Sequence, residues 1–358
     1  MKFRAAGILV ALTLLTLTGC RSTRIACPLV TTPRPAPAVA PACGPAGGYP
    51  FTNLVFEGGG VKGLAYAGAL AVLDERGILP QVERVAGTSA GSITALLVAL
   101  KYTPQEIHDL LFHLPFQEFE DGGATGLFRV FRRFGWYRGD NYLELMRCLV
   151  GQKTGNRFST FRDLQAKGFL DLHMFATDLN TGKGLEFSFA TTPDEEAALA
   201  ARTSGSFPLF FAAIDRRGDT LVDGGVVDNY PLEAFDTAAG LNPNSLGFVL
   251  LPTSLPPTRR AVGDLPEYAK ALFATILSAQ VDGLETDLPN LTRTAVLDDL
   301  GVSTLDFDLT DAQKDQLVAS GARCTCDFLA GWSAAQGEAP AGGRVTLRET
   351  GNCGWVLP

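Results

Sequence analysis

The chain has 358 residues, 46% of them hydrophobic and 19% charged, which is ample for a large core in one big domain or two moderate ones. Its formal net charge is −8 and no basic block interrupts it, which excludes a nucleic-acid binder of the usual electrostatic kind.

In chain order, Lys2 and Arg4 precede an apolar run at residues 5–17 that is too short to cross a bilayer as a helix. It ends in Leu17-Thr18-Gly19-Cys20. That tetrapeptide resembles the bacterial lipobox, in which cleavage leaves a lipidated cysteine at the new N terminus. The resemblance implies that residues 1–19 are a lipoprotein signal peptide and that Cys20 carries the lipid. The chain would then be exported and lipid-anchored. Arg21 in place of aspartate points to the outer membrane, facing the periplasm or the cell surface. Residues 20–50 are rich in Pro, Ala and Gly without apolar periodicity, and read as a flexible tether. Residues 51–330 are expected to form the folded domain, and residues 331–358 a tail.

Six cysteines follow Cys20: Cys27, Cys43, Cys148, Cys324, Cys326 and Cys353. An even number in an exported chain fits disulfides. Cys27 and Cys43 can pair with each other or with Cys353, and the connectivity stays open. Cys324-Thr325-Cys326 has no second pair at zinc spacing, so no metal site is expected.

Residues 52–56 read as a strand, followed by Glu57 and the run Gly58-Gly59-Gly60-Val61-Lys62-Gly63, then a helix at 64–76 capped by Gly77. A strand over 79–86 leads into Gly87-Thr88-Ser89-Ala90-Gly91 and another apolar helix. This strand–helix–strand–helix order implies an α/β sandwich with a mainly parallel sheet and glycine turns at the carboxyl ends of its strands. A helix is expected at 104–114. Residues 116–142 mix aromatic residues with arginines and are read as an insertion packed on the sheet rather than as an acyl-chain entry flap touching headgroups. Strands are expected at 172–176 and 185–190, and a helix at 194–202. A hairpin is expected with arms 210–214 and 220–222, then Asp223-Gly224-Gly225. A buried strand at 245–251 and helices at 268–287 and 311–330 complete the reading.

Three glycine-framed stretches carry the chemistry. G-x-S-x-G is a nucleophile elbow: a sharp turn that leaves no room for side chains at Gly87 and Gly91 and pushes the Ser89 hydroxyl out. The glycines at 58–60 let amides turn inward toward an anion, either a phosphate or the oxyanion of acyl transfer. A phosphate loop would carry Gly-x-x-x-x-Gly-Lys-[Ser/Thr], which is absent. A serine needs a base, and His108, His113 and His173 lie in helical or strand contexts away from turn glycines. Asp223, ending a strand before two glycines, can supply a carboxylate, given a dry site and a direct hydrogen bond.

Together, GGGVKG, GTSAG and DGG resemble the patatin-like phospholipase family. FATDLNTG at 175–182, SGSFPLFF at 204–211, DNYPL at 228–232 and TLDFDLTDAQKDQL at 304–317 extend the resemblance over about 51–330. It implies a three-layer α/β/α sandwich and a lipid acyl hydrolase of the phospholipase A or lysophospholipase type. Ser89 would be the nucleophile and Asp223 the base of a Ser–Asp dyad forming an acyl-enzyme. The oxyanion loop would be Gly58 to Gly63, with the amides of Gly59, Gly60 and Val61 as donors. Lys62 stands where many members carry arginine, its charge supporting the oxyanion or a lipid phosphate. Gly224, Gly225 and Asn229 would shape the dyad loop. The expected partners are a phospholipid or other acyl ester and the membrane, with no nucleic acid. No acidic calcium loop is visible, so activity without metal or cofactor is expected. The alternatives are a catalytically silent lipid-binding lipoprotein and, more remotely, a nucleotide binder.

Overall fold

A computed structural model describes residues 48–252 and 262–335, with breaks at 115, 123–124, 239, 264 and 282–287. It also describes Cys27, Cys43, Cys353 and two short strands near the C terminus. The signal peptide, Cys20 and most of the tether lie outside the described residues.

The fold begins with β1 (Asn53–Phe56), an apolar tetrapeptide buried along its whole length. A 3-10 turn (Gly60–Leu64) runs into α1 (Ala65–Glu75), which ends where Gly77 takes a positive φ of 74°. β2 (Arg84–Thr88) and α2 (Ala90–Ala99) meet at Ser89. α3 (Pro104–Phe112) has a capping box, the Thr103 side chain taking the Glu106 amide while the Glu106 carboxylate takes the Thr103 amide. Then come α4 (Gly126–Arg133), β3 (Gly135–Tyr137), α5 (Asp140–Thr154), α6 (Phe161–Ala166), β4 (Asp171–Asp178), β5 (Lys183–Phe187) and α7 (Ala197–Ser204). β6 (Leu209–Phe211), β7 (Ile214–Arg216), β8 (Asp219–Asp223), β9 (Ser245–Leu251), α8 (Leu265–Val281), α9 (Leu288–Leu291), β10 (Thr294–Asp298) and α10 (Asp311–Ala335) follow.

The main sheet runs β10-β9-β1-β2-β4-β8-β7, with β5 also on β4. Its first five strands are parallel, and β5, β7 and β8 are antiparallel additions. This is the mainly parallel α/β sheet flanked by helices that the sequence implies. Its two faces are unequal. Leu54, Phe56, Val85 and Phe248 belong to the large core shared with α1, α2 and α10. Val55 and Ala86, pointing the other way along the same strands, form a much smaller cluster with Leu232 and Phe235 of a short 3-10 turn, against which Phe175, Tyr230 and Ala234 pack.

Four differences from the sequence reading stand out. The expected hairpin arm at 210–214 is divided: β6 leaves to pair with β3 in a separate small sheet, and β7 forms the hairpin with β8. The turn between β7 and β8 is Arg217-Gly218, both at positive φ, the geometry a two-residue hairpin demands. β10 was not expected. Residues 116–142 are only partly packed on the domain: Phe119 is buried, whereas Leu127, Phe128, Phe131 and Phe134 stand in solvent. The disulfides join Cys27 to Cys148 on α5, Cys43 to Cys326 on α10, and Cys324 to Cys353. Neither pairing considered from sequence, Cys27 with Cys43 or either with Cys353, occurs. The reason is the path of the chain into β1. The Tyr49 hydroxyl donates to Leu329 O and its ring lies 5.5 Å from Trp332, so the chain meets α10 just before β1, on the same helix that carries Cys326.

Candidate active site

The register of β4 brings the two key residues together. On one edge, β2 pairs up to Thr88 opposite Phe175. There the chain turns out of the sheet at Ser89, and β8 takes over the vacated lane, with Asp223 opposite the next residue, Ala176. β5 occupies the other edge over the same stretch, so β2 and β8 share one edge. Ser89 and Asp223, 134 positions apart in sequence, therefore leave adjacent points of one strand edge.

The elbow is strained and braced. Ser89 has φ 52° and ψ −120°, a conformation a non-glycine residue holds only when its surroundings impose it. Its amide donates to Ser204 Oγ at 2.9 Å, the Ser204 hydroxyl donates to Phe175 O at 2.6 Å, and the Ser92 hydroxyl donates to Ser89 O at 2.6 Å. A Cβ at Gly87 would lie 2.3 Å from Gly91 O, and one at Gly91 would lie 2.2 Å from Phe56 O. Both glycines are required by close approach, not by positive φ. α2 starts at the elbow and points its amide end at Ser89.

Asp223 is fully buried. Oδ1 accepts the Gly225 amide at 2.8 Å, while Oδ2 has no hydrogen-bond partner. Burial pushes its pKa up to about 7, against the opposing pull of the Gly225 amide, the Ser89 hydroxyl and the Arg202 charge. The Ser89 hydroxyl is thus among the groups that bear on the carboxylate, and Oδ2 is the oxygen left without a partner. Asn229 ties the dyad loop to the glycine loop: its Nδ2 donates to Glu57 Oε1 and Gly58 O, and its carbonyl accepts the Gly58 amide.

The glycine loop corrects three expectations. The Val61 amide is bonded to Thr304 O at 3.0 Å and the Gly58 amide to Asn229 O at 3.0 Å, so neither is free for an oxyanion. Among the described residues no acceptor is found for the amides of Gly59 and Gly60, which are left as the candidate donors. The Lys62 charge, expected to support the oxyanion or a lipid phosphate, is instead paired within the protein: its Nζ lies 2.6 Å from the buried carboxylate of Asp299. Gly60 has φ +57°, and a Cβ there would sit 1.9 Å from Thr304 O. Gly60→Ala is therefore expected to displace the loop and lower kcat for ester hydrolysis by about 10²–10³-fold, the loss seen when one oxyanion donor is removed. Steady-state kinetics beside a melting curve would check it, and an unchanged kcat would remove Gly60 from the donor pair.

Sequence reasoning missed Glu57, Ser204 and Arg202. Glu57 is buried beneath the glycine loop, accepts from Leu250 N and Asn229 Nδ2, and is raised by burial to about 7. Arg202 is buried without a carboxylate in contact. It donates to Gly139 O, Arg138 O, Ala212 O and Ser206 Oγ. Ser204 and Ser206 were visible inside SGSFPLFF, but nothing local marks one as a brace for the nucleophile. The histidines pair elsewhere. His173 lies between Asp171 and Glu186, whose charges overcome the downward effect of burial and raise it to about 9. His113 and His108 bond to Asp109.

A family model described as patatin-like phospholipase matches residues 54–236. An uncharacterized protein of Bacillus subtilis, YqhO, is 34% identical over 300 residues, 79% of this chain and 99% of that protein. An uncharacterized protein of Acanthamoeba polyphaga mimivirus, R571, is 27% identical over 75% of this chain and 90% of its own length. The chain is also 26% identical, over 51% of its length, to 62% of a probable lipid hydrolase, 463L, of invertebrate iridescent virus 6. Among solved structures, VipD from Legionella pneumophila superposes with a TM-score of 0.56 at 18% identity, covering 78% of this chain and 66% of that one. At that identity the likeness is one of fold.

Proposed function

The chain belongs to the patatin-like phospholipase family, and on that premise we propose that it hydrolyses acyl esters of lipids through a Ser89–Asp223 dyad. The observation that carries this reading is the unpartnered, buried Oδ2 of Asp223 in the lane beside the elbow serine. Asp223 takes the Ser89 proton as Oγ attacks the ester carbonyl, and the amides of Gly59 and Gly60 hold the oxyanion. Collapse expels the alcohol, which takes the proton back from Asp223 and leaves an acyl-serine. Water then attacks, again giving its proton to Asp223, and the fatty acid departs as Ser89 recovers its hydrogen. Phospholipids, lysophospholipids and other acyl esters fit this chemistry, and export with lipidation at Cys20 is part of the same proposal.

Fluorophosphonate labelling tests the nucleophile. The parent is expected to label, Ser89→Ala not at all and Asp223→Ala far more slowly. Labelling of folded Ser89→Ala at the parent rate would remove the assignment.

The pH dependence has two opposite signs. The base works only when ionised, so kcat/KM on a soluble ester is expected to rise with pH through an inflection near 7. A plateau already reached at pH 5 would contradict a dry Asp223. Stability runs the other way. Asp223 and Glu57 have folded pKa values above their usual ones, so their contribution is fully present below the unfolded carboxylate range and is lost as pH rises to about 7. Glu57→Gln is expected to flatten part of that loss in melting curves taken from pH 4 to 8.

A further inference from the structure

α4 has an exposed apolar stripe and an anchored back. Gly126 sits against the Trp136 ring, and the Arg129 guanidinium bonds Trp136 O, Gly122 O and Thr125 Oγ1. The outward side has Leu127, Phe128, Phe131 and Phe134, which are 55%, 77%, 77% and 54% exposed. Arg132 and Arg133 lie beside them at the helix end, exposed and without an ion pair among the described residues. Spacings of three and four put Leu127, Phe128 and Phe131 on one stripe of the helix, and Phe134 follows at its C-cap with a φ of 58°.

We infer that α4 is a wedge that inserts into the surface of an anionic phospholipid bilayer and seats the catalytic face on it. Two observations select this occupant. A phenylalanine with three quarters of its area in water stands clear of the body. Two of them side by side make a convex tip, which a deformable layer of acyl chains admits more readily than a packed protein face. The flanking Arg132 and Arg133 place a local positive charge beside the apolar tip, the pairing of charge and apolar surface that suits lipid phosphates above acyl chains.

The placement also serves the reaction proposed above. The carbonyls of Arg133, the last residue of α4, and of Phe134, its C-cap, accept the amides of Ala213 and Leu209 at the two ends of the β6 segment. That segment follows Ser206, whose carbonyl accepts the Asp223 amide. On its other side Phe207 packs on Phe273 of α8 at 4.4 Å, and α8 exposes Tyr268 and Leu272. Exposed apolar residues thus flank the segment that follows Ser206, the residue holding the Asp223 amide.

The test is tryptophan depth. Phe128→Trp or Phe131→Trp is introduced into the full chain carrying Cys20→Ser and mixed with phosphatidylcholine vesicles containing a quarter phosphatidylglycerol, with and without brominated chains. The added indole emission is expected to shift to the blue and to be quenched by about half or more by brominated lipid. Phe158→Trp, on a different exposed phenylalanine held between Arg147 and Arg157, is expected to do neither. Phe128→Ser with Phe131→Ser is expected to lower vesicle hydrolysis about tenfold relative to turnover of a soluble short-chain ester. Absence of quenching at both positions would overturn the inference. So would a blue shift that grows with protein concentration in the absence of vesicles, which would make the stripe a contact between copies. The soluble ester separates the two readings: if the parent does not hydrolyse it, the hydrolase proposal fails while the quenching still decides the wedge.

Discussion

Ser89→Ala is expected to lower kcat/KM for a soluble acyl ester by about 10⁵–10⁶-fold, and Asp223→Asn by about 10³–10⁴-fold. The first figure follows from losing the only atom placed to form the acyl-enzyme. The second follows from the direction of one hydrogen bond. Asparagine keeps the size of the side chain, and its oxygen can still accept the Gly225 amide that Oδ1 accepts now. Its nitrogen then stands at the Oδ2 position, a donor facing the serine where an acceptor is needed. The same substitution removes a buried carboxylate that costs free energy to ionise, so at pH 8 Asp223→Asn is expected to melt no lower than the parent. Inactive and equally stable is the signature of a residue kept for chemistry. Retention of more than a tenth of the activity would mean that another group takes the proton.

Arg202→Met should cost about 3–5 kcal/mol of stability, a fall of about 10 °C in Tm. Arg202 has only 1% of its surface exposed and directs its fork at Gly139 O, Arg138 O and Ala212 O, with Ser206 Oγ as a fourth acceptor. Methionine fills similar space but removes the donor that Arg138 O and Ala212 O share, and leaves Gly139 O only the Leu143 amide. Lysine keeps the charge but has no planar fork to reach them together, so Arg202→Lys is expected to recover only part of the loss. Function should respond as well. The Arg202 charge lowers the Asp223 pKa, so the acid limb of kcat/KM is expected to move to higher pH in Arg202→Met. Thermal melts and the pH profile check both effects. A melt within about 2 °C of the parent would show that the carbonyls find other donors.

The contrast between what sequence conveys and what it withholds is clear at the site. Gly87, Gly91 and Ser89 were legible because a turn with no room for Cβ atoms writes itself into residue choice. That Asp223 meets Ser89 was legible only through the family resemblance. Physically the meeting depends on β8 occupying the lane that β2 leaves beside β4, a non-local register that no window of sequence contains. Glycine content suggested a run of inward amides, but hydrogen bonds to Asn229 O and Thr304 O remove those of Gly58 and Val61. Lys62 showed its charge and not its partner Asp299, 237 positions away. β10 is a short apolar run without alternation, the pattern least distinguishable from any buried segment. In α4 the periodicity was present, yet periodicity tells only that one side is apolar. Whether protein covers that side is decided by elements far away in the chain.

The disulfide between Cys27 and Cys148 changes the geometry of an anchor at Cys20. With Cys43 already held by Cys326, the twenty-three residues from Cys20 to Cys43 would reach about 80 Å, whereas the seven from Cys20 to Cys27 reach about 25 Å before α5 is met. The volume a tethered body explores scales with the cube of its reach, so with an anchor at Cys20 the bond would confine the domain to about one thirty-fifth of that volume and raise the local concentration of its own leaflet accordingly. A domain held at Cys20, as proposed above, would work on the membrane of its own anchor and would not range to a facing one.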